Sequence, residues 1–415
     1  MYLTGEIQQP NVIYLMDHEW QREHRRPHLK AIAKYCRLLC VEPPITIDIP
    51  FRKAHTFFNW IFRRQWKIRL TEAGIYLIKP VALVPHVITL QFPLFARINR
   101  ILLERQLRQV LAHLGMKDVV LIIAHMAEIY LMGLLGERVL CYAVYEEFSA
   151  HSSLSEMARR RLQRAEMKIL RTADIVFASS HNLWLKKKAI NPNTHFTPNS
   201  ADVSFFMRSL DKRTVVPPDL AVIPEPRIGL IGNINEIVDL GLINFLAENR
   251  PDWSIVLIGE VNGGKAFKRS TLFRKSQQLP NVYYLGFKDY NTLPAYQKGL
   301  QVCLLPYLIN NYTRYVHPNK TYQYMAGGKP IVATGLAEVM PLCDIVRIAG
   351  DREKYMQEIT EALQDNGIDS VARRLKVALN NNIQTIEKKR IKLIIECLSK
   401  KREAGQNHEG YIYLS

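Results

Sequence analysis

The stretch His317-Pro318-Asn319-Lys320 has the residue types needed to hold a phosphate. Pro318 and Asn319 are good helix-start residues, so a first turn here would present free N–H groups and the positive end of the helix dipole. Lys320 adds a full charge to that turn, with His317 before it and Gln323 one turn on. Gly327-Gly328 ends the helix, and Lys329-Pro330 leads into an apolar run. Gly232-Asn233 follows the apolar run 228–231, and Gly259 follows 254–258. Glycine has no Cβ, so the backbone at either turn can approach a nucleotide closely. Tyr307 follows a further run, 302–305. Gly232, Asn233, Gly259, Pro318, Asn319 and Lys320 point to a phosphorylated ligand.

The first half of the chain offers acid–base chemistry. Glu146 and Glu147 follow the run 139–145. Adjacent carboxylates repel, which raises one pKa toward the range useful to a general base. His125 follows another run, 119–124, and is a third catalytic candidate. The segment 17–28 carries Trp20, Arg22, His24, Arg25, Arg26 and His28. Its aromatic and cationic groups suit a phosphorylated acceptor, with Trp20, Arg26 and His28 as the chosen contacts. Six scattered cysteines form no CxxC pair or zinc spacing, and no Asp-x-Asp occurs, so neither a metal nor a cofactor is expected.

Two series of elements must position these groups. Apolar runs at 12–16, 38–41, 75–78, 87–90, 119–124, 139–145 and 175–178 read as strands, with helices between them that include 95–114 and 155–171. A second series begins near Arg227, with strands at 228–231, 254–258, 282–285, 302–305 and 331–333. Strands alternating with helices imply parallel sheets. The expectation is an α/β protein of two Rossmann-like, doubly wound domains, 1–210 and 211–372, facing a central cleft where ligands bind. A basic helical tail at 373–415 packs back on the first domain and frays from Gln406.

The segment from His317 to Val332 resembles the donor-site motif of family 4-like glycosyltransferases with the GT-B fold, closest to the teichuronic-acid and exopolysaccharide branch. Ile228-Gly229-Leu230-Ile231-Gly232-Asn233 resembles the family's first glycine turn, and Leu304-Leu305-Pro306-Tyr307 the strand before its donor loop. Tyr145-Glu146-Glu147-Phe148-Ser149, Ala173-Asp174-Ile175-Val176 and Pro198-Asn199-Ser200-Ala201-Asp202 match further landmarks in order. The resemblance implies transfer of a sugar from a nucleotide-sugar donor, a UDP-sugar by family frequency, to a lipid-linked or saccharide acceptor. It also implies retention of configuration, and a cation and backbone N–H groups in place of a metal. Many relatives carry two glutamates eight positions apart, the second on the donor ribose. Here those positions hold Tyr315 and Gln323, and the amide of Gln323 is a neutral partner for a ribose hydroxyl.

The chain has 415 residues and a net charge of +18, and residues 1–200 hold 28 Lys/Arg against 16 Asp/Glu. Such a half calls for an anionic partner. The stretch 51–70 interleaves aromatic residues with cations, and Trp60, Arg63, Arg64 and Trp66 are the expected contacts to an anionic membrane surface. Arg97, Arg100, Arg105 and Arg108 extend that patch. No apolar run is long enough to span a bilayer and no signal peptide opens the chain, so the expected location is cytoplasmic, peripheral at the inner membrane face. No helix-turn-helix, zinc-finger or RNA-recognition signature appears, so nucleic acid is not an expected partner. The competing readings are a nucleotide-sugar epimerase of the same fold, a basic nucleic-acid-binding protein, and a degenerate scaffold suggested by Tyr315 and Gln323.

Overall fold

A computed structural model describes residues 9–412 except 17, 22, 24, 47–66, 84–92, 125–128, 130, 151–153 and 366. Trp60, Arg63, Arg64, Trp66, His125 and the strand expected over 87–90 lie outside the described residues.

The first lobe is built on an eight-stranded sheet in the order β10-β9-β8-β7-β1-β2-β5-β4. Its strands are β1 (Asn11–Leu15), β2 (Arg37–Val41), β4 (Arg69–Leu70), β5 (Tyr76–Ile78), β7 (Val120–Ile123), β8 (Val139–Val144), β9 (Ile175–Ala178) and β10 (Thr194–Phe196), and a small parallel pair joins β3 (Ile45–Thr46) to β6 (Val81–Ala82). All pairings in the large sheet are parallel except β4 with β5. Every residue of β7, β8 and β9 is buried, as strands covered on both faces must be. One face is covered by α2 (Pro93–His113) and α3 (Glu156–Thr172), the other by α1 (Arg26–Ile32).

The second lobe has a six-stranded parallel sheet in the order β13-β12-β11-β14-β15-β16. These are β11 (Arg227–Ile231), β12 (Ser254–Ile258), β13 (Val282–Gly286), β14 (Val302–Leu305), β15 (Ile331–Thr334) and β16 (Arg347–Ala349). The order is that of a doubly wound fold, with its switch point between β11 and β14. In the first lobe the corresponding reversal lies between β1 and β7.

The tail is two helices rather than one. In α8 (Ile368–Asn380) the buried Arg374 donates to the Gly328 carbonyl at 2.8 Å, so this helix belongs to the second lobe. At Asn382 the chain pairs with Ala201, and α9 (Ile383–Ile412) crosses to the first lobe. Ile391, Ile394 and Leu398 of α9 join Leu29 and Ile32 of α1 in one apolar cluster. The helix continues to Ile412, past the fraying expected from Gln406.

A buried polar cluster fixes the crossing. Glu387 bonds Arg390 at 2.9 Å and His28 at 2.8 Å. Arg390 also reaches the Thr197 hydroxyl at 3.1 Å and the Tyr145 hydroxyl at 3.3 Å. Burial pushes the Glu387 carboxyl up, but Arg390 and His28 outweigh it and hold it below the usual range. Arg390→Met leaves that buried carboxylate without its main cation and should cost about 3–5 kcal/mol in urea unfolding, most of it recovered when Glu387→Met is added. A carboxyl depressed in the folded state stabilises above its unfolded-chain value and loses that as pH falls through the folded value. The margin of wild type over Arg390→Met should therefore shrink as pH falls through the lowered Glu387 value.

Candidate active site

β11 and β12 end in glycines with positive φ, 144° at Gly232 and 151° at Gly259. The two turns touch: a Cβ at residue 259 would strike the Gly232 carbonyl. A Cβ at residue 232 would stand 2.6 Å from Lys320 Nζ and nearer still to Cε, so the lysine side chain lies directly across the first turn. Its Nζ sits 6.0 Å from the centre of the Tyr307 ring. Gly232, Gly259, Tyr307 and Lys320 are thus brought together at the switch point of the second sheet.

Lys320 is placed there by α6 (Asn319–Ala326), which fills the gap after β14. The Ile231 N–H donates to the buried Tyr324 hydroxyl at 2.8 Å, tying the helix to the end of β11. Pro318 stands at the helix start and supplies no side-chain cap, whereas Ser155, Ser180 and Asp239 each cap the helix they precede. The Thr321 N–H turns back to the Pro318 carbonyl at 3.1 Å, and no side-chain cap takes the N–H groups of Asn319 and Lys320. Asn319 Oδ1, Thr321 Oγ1 and His317 Nδ1 are buried without a hydrogen-bond partner, as is Ser200 Oγ on the crossing segment. Native interiors seldom leave such groups unpaired, and here four lie in two neighbouring segments.

His317 does not supply a cation. Burial, with His181 adding to it, pushes its imidazole down to about 4, so it is neutral near pH 7. Its ring stacks on Tyr322 with centroids 5.5 Å apart, and its carbonyl accepts from Asn199 Nδ2 at 2.7 Å across the lobes. Three more bonds cross nearby. Tyr312 donates to Glu146 Oε2 at 2.6 Å, Asn182 Nδ2 to the Arg314 carbonyl at 2.9 Å, and the His181 N–H to Glu338 Oε1 at 2.7 Å. Tyr315 takes Lys186 over its ring at 5.3 Å and packs on the first lobe's core.

The two adjacent glutamates are separated by the fold. Glu146 remains half-buried at the cleft, where Tyr312 reaches it. Glu147 is buried and bonds Lys187 at 2.8 Å, Lys186 at 3.0 Å and Ser149 Oγ at 2.6 Å. Burial raises its pKa, but Lys187 and the hydrogen bonds from Lys187, Ser149 and Lys186 outweigh that and lower it. The repulsion expected to make one of the pair basic is replaced by attraction to lysine, so Glu147 anchors the turn. Lys187 also pairs with Glu166 at 2.6 Å. Within Lys186-Lys187-Lys188 the middle residue lies four positions on from the buried Leu183 in α4 (His181–Lys188), and of the three it alone is buried.

The acceptor candidates also divide. His28 is spent on Glu387. The Trp20 N–H donates to Glu42 Oε1 at 2.8 Å, and its ring packs on the core beside β1. Arg26 stays at the cleft, where its charge acts on Tyr290 of the second lobe. Arg25, Tyr312, Asn199 and Glu338 were not singled out as site residues. Arg25 lies 4.7 Å above the Tyr145 ring, and Tyr312, Asn199 and Glu338 serve by meeting the opposite lobe. Among the described residues no three His, Cys, Asp or Glu converge as a metal site requires.

A histidine depressed in the folded state stabilises above its unfolded-chain pKa and loses that as pH falls. His317 should cost stability progressively from about pH 6.5 down to about 4, by roughly 3 kcal/mol in all. His317→Phe keeps the stack on Tyr322 and should flatten the melting profile over that window. Coincident profiles would show that His317 does not titrate there.

Residues 225–365 match the family described as Glycosyl transferases group 1. A Bacillus subtilis (strain 168) protein named for teichuronic acid biosynthesis, the glycosyltransferase TuaH, is 28% identical over 244 residues, which are 57% of this chain and 56% of that one. The match thus spans just over half of that relative. In three dimensions the chain is similar to an E. coli trehalose-6-phosphate protein bound with UDP-2-fluoro glucose (TM-score 0.65, 12% identity, 93% of this chain and 99% of that one). It is similar too to Anabaena Alr3699/HepE in complex with UDP and glucose (TM-score 0.62, 14% identity, 94% of this chain and 99% of that one). The Gly232 turn and the Lys320 helix both lie inside the matched region, so residues 225–365 form a glycosyl transferases group 1 domain, and the chain as a whole has the GT-B fold of these structures.

Proposed function

We propose that the protein moves a sugar from a UDP-sugar to a lipid-linked or saccharide acceptor in cell-surface polysaccharide synthesis, without a metal and with retention, at the cytoplasmic face of the membrane. The observation that carries this reading is Lys320 lying across the Gly232 turn, at the uncapped start of α6. A diphosphate held there meets a full cation and free backbone N–H groups as its charge grows, the role a metal plays elsewhere. Asn233, Gly259 and Gln323 complete the donor side. The UDP in the structures of similar fold makes UDP the first nucleotide to try.

The acceptor enters from the first lobe, past Arg26. The bond from the sugar C1 to the donor phosphate oxygen breaks, and the acceptor oxygen bonds C1 on the same face. The acceptor proton passes to the departing phosphate. Glu146 orients the acceptor hydroxyl in place of its bond to Tyr312.

Lys320→Ala should lower turnover of the UDP-sugar by about 100-fold or more and abolish the thermal shift produced by UDP, with the melting temperature of the free protein unchanged. Unchanged turnover and UDP binding in Lys320→Ala would sink the reading. A carboxylate makes charge-assisted bonds to ribose hydroxyls, so Gln323→Glu should tighten UDP binding by about tenfold in calorimetry. Weaker binding would remove residue 323 from the ribose.

A further inference from the structure

The exposed surface of α3 is strongly and one-sidedly basic. Met157, Arg161, Arg164, Lys168 and Arg171 are spaced three or four apart, with Arg160 beside Arg161, so they form one outward stripe about 20 Å long. Glu156 pairs with Arg160 at 2.8 Å, and Glu166 is turned inward to Lys187. Arg161, Arg164, Lys168 and Arg171 have no acidic partner among the described residues. The same stripe borders a shallow surface cavity in which Arg160, Arg164, Lys168 and Arg171 stand around Gln163 and Met167.

The stripe on α2 has the same character. Leu94, Arg97, Ile101, Arg105 and Arg108 follow the same spacing along its exposed side. Leu103 and Leu107 of α2 and Ile169 and Leu170 of α3 enter one apolar cluster on one face of the first sheet. Both stripes therefore face away from that sheet on the same side of the lobe. Apolar side chains stand out among the cations: Leu94 is 68%, Ile101 58% and Met157 65% exposed.

We infer that the outer faces of α2 and α3 together form the surface by which the protein sits on an anionic lipid bilayer. Cations at the headgroup level gain from anionic lipid, and Leu94, Ile101 and Met157 gain by leaving water for the acyl boundary. A nucleic acid would satisfy the cations and leave the three apolar residues in water. The inference deepens the peripheral placement proposed above and is independent of the transfer chemistry.

The test uses the full chain and vesicles of phosphatidylglycerol with phosphatidylcholine, against phosphatidylcholine alone. Wild type should sediment with the anionic vesicles only and be released by high salt. The variant Arg161→Gln/Arg164→Gln/Lys168→Gln/Arg171→Gln should bind about 1,000-fold more weakly, with an unchanged melting temperature. Replacing the three arginines by lysine should preserve binding. Met157→Trp should show a blue-shifted emission on the anionic vesicles. If wild type binds and the glutamine variant binds equally, this surface is wrong and the peripheral placement stands. If wild type binds neither vesicle, both fail. Tighter, vesicle-competing binding of a single-stranded RNA through the same four residues would make nucleic acid the occupant and overturn the inference.

Discussion

The close approach of one lysine to one glycine organises the second lobe. Lys320 can lie across the end of β11 only because residue 232 has no Cβ, and it can reach there only because Tyr324 pins α6 to that strand. The positive end of a helix, a full cation and an open backbone turn therefore meet at the point where strand order reverses. Two of these three are backbone features, which need no reorganisation when charge develops on a ligand. The unpaired polar atoms around His317, Asn319 and Thr321 fit the same design, since each carries a desolvation cost that a polar ligand can offset.

The first lobe solves a different electrostatic problem. It buries charge beneath the cleft: Glu147 and Glu166 on Lys187, and Glu387 on Arg390 and His28. Such groups are costly to take from water and persist only when paired and hydrogen-bonded. Their common effect is positional. The first network holds the turn from which Glu146 reaches the cleft, and the second holds α9 against β8 and β9. Because α9 follows α8 of the second lobe, that second network also sets how the chain returns from one lobe to the other.

Charge is distributed according to exposure. Inside the cleft single cations work at short range, where the surroundings are partly dry and their effect is large. On the outer face of the first lobe many cations sit in water, where each counts for little alone and they act only as a surface.

Strand runs, glycine turns and the Pro318-Asn319-Lys320 start were legible because each is a local property. Burial on both faces demands continuous apolar runs, and a strand-to-ligand turn demands glycine. So the α/β alternation, the two sheets and the glycine turns and lysine that the fold groups at one switch point, Gly232, Gly259 and Lys320, could be read from the chain itself. What could not be read was which of several similar side chains meets which environment. Glu146 and Glu147 are neighbours in sequence, yet one faces Tyr312 from the other lobe and its neighbour is buried on lysine. His28 looked like an acceptor ligand and is bonded to a glutamate 359 positions away. Lys187 stands between two exposed lysines in a run of three and is itself buried. In each case the deciding partner is distant along the chain, so the outcome depended on how the elements pack. Local sequence set the chemistry available, and only tertiary contact decided which groups were desolvated, paired or left free to act.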